Sequence, residues 1–218
     1  MTERLGPPDG PRIRDAVPYR DELCRLPAGT RLVRVHNLTG PNPSAWNELR
    51  AFGPTSSRFD HHPLPRRQHP TRRIAYAALG LTAFTAAIAE HFQLAGGAVG
   101  PLDLDRHHPT ATVFDLALPL TLLDLDTGWV TRAGGNQAIR TGPRGVARDW
   151  ARAIHRHHKE VDGLVYGSTV WGPGRCLALW ERATPAFPEA PTATRQLNDP
   201  GLRGAVLAAA AELGTYVL

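Results

Sequence analysis

Apolar residues recur along this chain with two different periods, and the switches between them mark out its elements. Arg31 to His36 alternates, with Val33 and Val35 on one face and Leu32, Arg34 and His36 on the other, the pattern of a strand. Ile74, Tyr76 and Ala78 alternate in the same way. The run then passes through Gly80 into a stretch ending at Phe92 that is apolar nearly all round, which predicts a strand turning into a helix capped by Thr82. Ala111 to Leu118 and Thr121 to Leu125 predict further strands, with Pro119 bending the junction. Ala133 to Gly145 reads as loop or short helix, and Val146 to Glu160 as an amphipathic helix. Leu164 to Ser168 and Cys176 to Trp180 predict two more strands, joined through the turn signal Gly172-Pro173-Gly174. The rest is less regular. The N-terminus reads as a flexible lead-in, Asn37 to Pro70 as a long irregular excursion, and Thr184 to Pro200 as a Pro- and Thr-rich tether. Leu202 to Leu213 is an Ala-rich helix that can pack on the domain or on a second copy.

One residue breaks the apolar pattern. Glu90 is the only acid in the helix that follows Gly80, and the spacing puts Ala86, Ala87 and Leu94 on its face. An ionised carboxylate among small apolar groups needs a partner or a chemical task; the alternative is a carboxylate at the helix's solvent edge, or one paired structurally with an Arg.

With 218 residues and 42% hydrophobic content, the chain can bury the core of one globular domain. No run of eighteen apolar residues predicts a membrane span, the N-terminus lacks a secretory signal's apolar core, and a cytoplasmic location is expected. Cys24 and Cys176 stand far apart, which predicts neither a disulfide framework nor a zinc site. The formal charge is +5, and Lys159 is the only lysine. That Arg bias also arises in GC-rich genomes, although guanidinium groups suit bidentate recognition of phosphate. With no basic run interleaved with aromatics and no helix-turn-helix or zinc-finger spacing, direct nucleic-acid binding is not expected.

Four segments in order carry a resemblance: LVRVHN with Arg34, SSRFD with Arg58, IAYAALGLTAFTAAIAE with Tyr76 and Glu90, and DGLVYGS with Ser168. Together they resemble the RES domain family, named for its Arg, Glu and Ser residues and known as the toxin half of RES–Xre toxin–antitoxin pairs. The likeness runs from about Leu32 to Trp180. The chain departs from the family pattern in having Ser56-Ser57 before Arg58 and Phe59-Asp60 after it. It also has Thr169-Val170-Trp171 where an Arg commonly follows the Ser, and Arg175 is the nearest substitute.

The resemblance implies a single α+β domain with a mixed sheet and flanking helices, similar to ADP-ribosyltransferases. It divides the chain into a lead-in over 1–30, a RES-like catalytic domain over 31–183, and a tether with a C-terminal helix over 184–218. It implies NAD as substrate, broken at the nicotinamide–ribose bond, with inorganic phosphate as acceptor (NAD phosphorylase); water, as in a glycohydrolase, or a protein side chain, as in an ADP-ribosyltransferase, is the alternative. Carried onto this sequence, Glu90 would stabilise the ribose cation, Arg34 and Arg58 would clamp the diphosphate or the incoming phosphate, Ser168 would orient the ribose or amide, and Tyr76 would stack on nicotinamide. His36 and His61 are placed near substrate. An Xre-type antitoxin and a homodimer are the implied partners. No metal is expected: His61-His62 and His107-His108 point apart, and only His155 and His158 share a helical face, without Cys or HExxH patterns. The contrasting reading is a non-catalytic nucleotide- or nucleic-acid-binding module in which Arg-rich loops bind and Glu90 is structural.

Overall fold

In the computed structural model, which describes residues 4–94 and 97–218, the elements follow in the order α1 (Gly10–Asp15), β1 (Leu23–Leu26), β2 (Arg31–Asn37), β3 (Phe52–Gly53), β4 (Arg67–Gln68), β5 (Ile74–Leu79), α2 (Ala83–His91), β6 (Pro109–Asp115), β7 (Leu120–Asp124), α3 (Trp129–Arg132), α4 (Ala138–Thr141), α5 (Arg144–His157), β8 (Gly163–Gly167), β9 (Arg175–Trp180), β10 (Ala193–Gln196) and α6 (Arg203–Glu212). Eight strands form one sheet in the order β1-β7-β8-β9-β5-β2-β6-β10, and β3 pairs with β4 apart from it. β7 and β8 are parallel and the other neighbours antiparallel, so the sheet is mixed. The expected α+β architecture, with helices flanking a mixed sheet, is what the chain adopts.

Both faces of the sheet are covered, and this is why its central strands lack a polar side. All five residues of β8 are buried. Leu164 and Tyr166 join the cluster that also holds Trp129, Trp150 and Ile154, while Val165 points the other way into a cluster with Leu122, Leu177 and Phe114. α5 buries Ala147, Trp150, Ala151 and Ile154, spaced to form one helical stripe. α2 is apolar all round because it has neighbours all round. It packs on β2, β5 and β9 below, and Ile88 meets Val206, Ala209 and Ala210 of α6.

Two stretches are more ordered than their composition suggests. The lead-in carries α1, whose Ile13 is fully buried, and β1, which pairs with β7. Trp129 and Trp150 donate their indole N–H groups to the carbonyls of Ala16 and Gly6, tying this segment to the body. The Pro- and Thr-rich tether holds β10, an edge strand on β6, where the hydroxyls of Thr112 and Thr194 meet at 2.9 Å. Neither segment is the loose one that its polar residues predicted.

The feature that positions the site is a gap in the sheet. β2 pairs with β6 over seven residues and β5 with β9 over six, but β2 and β5 pair only at Leu32↔Leu79 and Val33↔Ala78. Beyond that point the two strands part, so Arg34 and Val35 on one and Tyr76 and Ala77 on the other border an opening. Gly80, at φ +90°, makes the sharp turn from β5 towards α2. Thr82 does not cap that helix as expected; its hydroxyl donates to the carbonyl of Pro173, linking the helix start to the β8–β9 connection.

Candidate active site

A cavity of about 320 Å³ occupies the gap, lined by Arg34, Arg58, Tyr76, Glu90, Arg144 and Tyr166 among others. A second cavity, of about 560 Å³, adjoins it and shares Arg34, Val35, Tyr76 and His91. Together they form a two-chambered cleft with Arg34 and Tyr76 at the junction.

Glu90 reaches the first cavity from the last turn of α2. Ser168, just past the end of β8, donates its hydroxyl to Glu90 Oε1 at 2.7 Å. The same Ser168 oxygen accepts the backbone N–H groups of Val170 and Trp171 at 3.2 and 3.1 Å, so its own proton is steered towards the acid. Glu90 Oε2 makes no hydrogen bond among the described residues. The Cys176 thiol, 3.8 Å from Oε1, is pushed well above its usual range by burial and then by the Glu90 charge, so it stays a neutral wall of the cavity. Gly174 permits this closeness. A Cβ there would lie 2.7 Å from the Ala86 side chain and 3.3 Å from that of Ser168. Gly174→Ala is therefore expected to lower stability by about 1–3 kcal/mol and to pull Ser168 away from Glu90, reducing activity. An unchanged urea midpoint would show that the turn has room to spare.

Arg58 sits on a tightly held loop. Its Nη1 donates to the carbonyls of Ile139 and Gly142 at 3.3 and 2.8 Å, and the Tyr76 hydroxyl donates to the Arg58 carbonyl at 3.0 Å. The next residue, Phe59, is fully buried against Tyr166 at φ 63°, a conformation that only strong packing maintains for a phenylalanine. Arg34 is more committed than a free clamp would be. Its Nη1 donates to the carbonyls of Trp46 and Glu48, and burial pushes its pKa down to about 10. His36 lines only the second cavity, with its ring nitrogens 2.9 Å from the Ser44 carbonyl and 3.1 Å from the Thr112 hydroxyl. The first cavity thus gathers Arg34, Arg58, Tyr76 and Glu90, with Ser168 bonded to Glu90 directly behind its wall, and leaves His36 outside.

Asp60 anchors the loop. Its carboxylate is fully buried and accepts from Arg50 Nη2, from the Thr55 N–H and hydroxyl, and from His62 N and Nδ1. Burial alone would raise its pKa, but the His62 hydrogen bond and the Arg50 charge hold it far below the usual carboxylate range.

His61, expected near substrate, lies on the other side of this loop. Its Nε2 is 2.9 Å from one oxygen of Glu181, and His155 Nε2 is 2.6 Å from the other, with the two rings stacked at 4.5 Å. The three ligand atoms lie within 4.8 Å of one another, a spacing that a metal could use. The surroundings suit hydrogen bonding better. Glu181 also accepts from the Arg73 N–H and Arg72 Nη1, Arg72 and Arg182 add positive charge, and the buried His61 Nδ1 has no acceptor to fix it as a ligand's N–H. This clamp ties the loop to α5 and to the end of β9.

Burial, only partly offset by Glu181, moves the His61 pKa from 6.5 to about 4. His155 and His36 are lowered as well, each first by burial. A histidine held neutral when folded gains its proton on unfolding, so its contribution to stability is lost as pH falls below 6.5. For His61 alone the loss is about 2 kcal/mol by pH 5. Urea midpoints measured at pH 7 and pH 5 check this; equal midpoints would contradict it.

Tyr166 and Arg144, both lining the cavity, were not singled out in the sequence. Tyr166 is on the same strand face as Ser168, two residues away, so the alternation that placed one could have placed the other. Arg144 opens α5 and has no periodic signal pointing to the cleft. Arg175, the expected substitute for a missing arginine, turns elsewhere; it pairs with Asp124 and Asp126 at 2.8 and 3.3 Å and does not line the cavity.

Comparisons with known proteins bear on the family and the fold. No curated protein matches the sequence. Among solved structures the chain is similar to one from the crystal structure of the M. tuberculosis MbcT–MbcA toxin–antitoxin complex, with a TM-score of 0.58 and 17% identity over 91% of this chain and 96% of that one. The family model described as the RES domain matches residues 31–200, a span that takes in every strand and helix bordering the cavity. By that match the chain belongs to the RES domain family.

Proposed function

We propose that this protein consumes NAD by cleaving its nicotinamide–ribose bond, with inorganic phosphate as acceptor, and that it acts in the cytoplasm as a toxin restrained by an antitoxin protein. The observation that carries the reading is the Glu90 carboxylate in a half-buried cavity, oriented through one oxygen by Ser168 with the other free. Nicotinamide leaves with the bonding electron pair and needs no proton, so the site requires no strong acid. What it requires is negative charge beside a ribose that becomes cationic as the C–N bond breaks, and a preorganised carboxylate in a partly dry cleft supplies it. Glu90 Oε2 accepts a ribose hydroxyl, Tyr76 offers its ring to the nicotinamide, and Arg58 from the first chamber and Arg34 from the junction face the diphosphate. A phosphate oxygen then forms the new bond to ribose C1, giving ADP-ribose 1″-phosphate and neutral nicotinamide.

The toxin role is supported by membership of the RES family and by the likeness in fold to a chain of the MbcT–MbcA toxin–antitoxin complex. The partner is expected to be an Xre-type antitoxin covering the cleft, so the two are expected to co-purify. Product analysis tests the reaction. NAD incubated with the antitoxin-free protein should yield nicotinamide, together with ADP-ribose 1″-phosphate when phosphate is present. ADP-ribose as the main product in phosphate buffer would make the acceptor water, and untouched NAD would overturn the reading.

A further inference from the structure

The first cavity holds more positive charge than its own acids balance. Arg144 and Arg58 both line it, and neither forms an ion pair among the described residues. Arg144 Nη2 donates to Gln93 Oε1 at 2.6 Å and Nη1 to the Ser56 carbonyl at 3.5 Å, both neutral acceptors. Arg58 spends Nη1 on two carbonyls, and its Nη2 and Nε make no hydrogen bond among the described residues. The two guanidiniums feel each other. Burial first, and then the Arg144 charge, lowers the Arg58 pKa, with Glu90 acting in the opposite sense.

Local sequence makes the imbalance sharper. Arg144 is the first residue of a 14-residue helix that has no acid in its first turn and no side-chain cap. A cation there opposes the helix dipole, which favours anions at this end. Placing a second cation from Arg58 beside it compounds the misfit unless an anion binds between them. Ser56 and Ser57 also line this cavity. Two guanidinium forks suit a tetrahedral oxyanion, which has oxygens for both; a planar carboxylate is filled by one fork.

We infer that Arg144 and Arg58 form a subsite for a phosphate group, and that Arg144 is a substrate-binding residue of this chain. The inference rests on the NAD reading for its biological occupant, which is either the incoming inorganic phosphate or the diphosphate of the dinucleotide. Both present the same chemistry, and kinetics separates them.

The test compares wild type, Arg144→Gln, Arg144→Lys and Arg148→Gln. The last removes the same charge one turn further along α5, from a residue that does not line the cavity. Nicotinamide release is followed against phosphate at fixed NAD and against NAD at fixed phosphate. Loss of a charged fork should raise one KM by about tenfold or more in Arg144→Gln, with Arg144→Lys in between and Arg148→Gln close to wild type. A rise in the KM for phosphate assigns the acceptor, and a rise in the KM for NAD assigns the diphosphate.

Thermal melts supply a readout that a merely structural arginine would not give. In phosphate-free buffer Arg144→Gln should melt no lower than wild type, since it relieves repulsion, and it should lose the stabilisation that added inorganic phosphate gives the wild type. Should the wild type leave NAD intact, the reaction assignment fails separately. Calorimetry with inorganic phosphate and with ADP then decides the subsite: binding weakened tenfold by Arg144→Gln upholds it. Arg144→Gln matching wild type in both KM values, or in both binding constants where there is no turnover, overturns it.

Discussion

Glu90→Gln is expected to lower the rate of nicotinamide release by about 100- to 1,000-fold while leaving the melting temperature within a few degrees of wild type. Glutamine keeps the volume and can still accept the Ser168 hydroxyl, so the cavity's shape and the turn after β8 survive. What disappears is the negative charge beside the ribose as it becomes cationic. The substitution therefore separates chemistry from folding, and NAD should still bind. A Glu90→Gln protein with the wild-type rate would show that the carboxylate is a structural partner of Ser168 and nothing more.

Asp60→Ala is expected to act through the other route, costing about 3–5 kcal/mol of stability because it leaves the Arg50 charge and the His62 and Thr55 donors without their acceptor. For a chain of this size that corresponds to a fall in melting temperature of roughly 10 °C. Activity should drop with it, since Arg58 and the strained Phe59 lie on the loop that Asp60 holds. Thermal denaturation followed beside nicotinamide release checks both parts. A wild-type melting temperature would mean that water replaces the lost acceptor and that the loop is anchored elsewhere.

The contrast between these two residues shows what the sequence could convey. Glu90 was visible because a single acid on an alanine-rich helical face violates a periodic pattern. β2, β5, β8 and β9 were legible for the same reason, since alternation and glycine turns are local signals. Asp60 sits in an irregular stretch whose order comes from a buried polar knot, and no periodicity announces a carboxylate with five donors. The lead-in and the tether misled in a similar way. Their polar composition is real, but Ile13, the Trp129 and Trp150 indoles and the pairing of β10 with β6 fix them through partners far away in the chain. Arg34, Arg58, Tyr76, Glu90 and Ser168, singled out by motif, do meet at the first chamber, whereas His36 lines the second chamber of the cleft and His61 turns to Glu181. Arg144 lay beyond reach because only the folded chain brings the start of α5 beside Arg58.

The gap between β2 and β5 is expected to hold the dinucleotide with its nicotinamide ribose against Glu90. A crystal structure of the Glu90→Gln protein grown with NAD addresses it most directly. Ribose hydroxyls should lie within hydrogen-bonding distance of residue 90, with nicotinamide beside Tyr76 and a phosphate group near Arg58 and Arg144. NAD seated wholly in the second chamber around His36, or outside the cleft altogether, would contradict it.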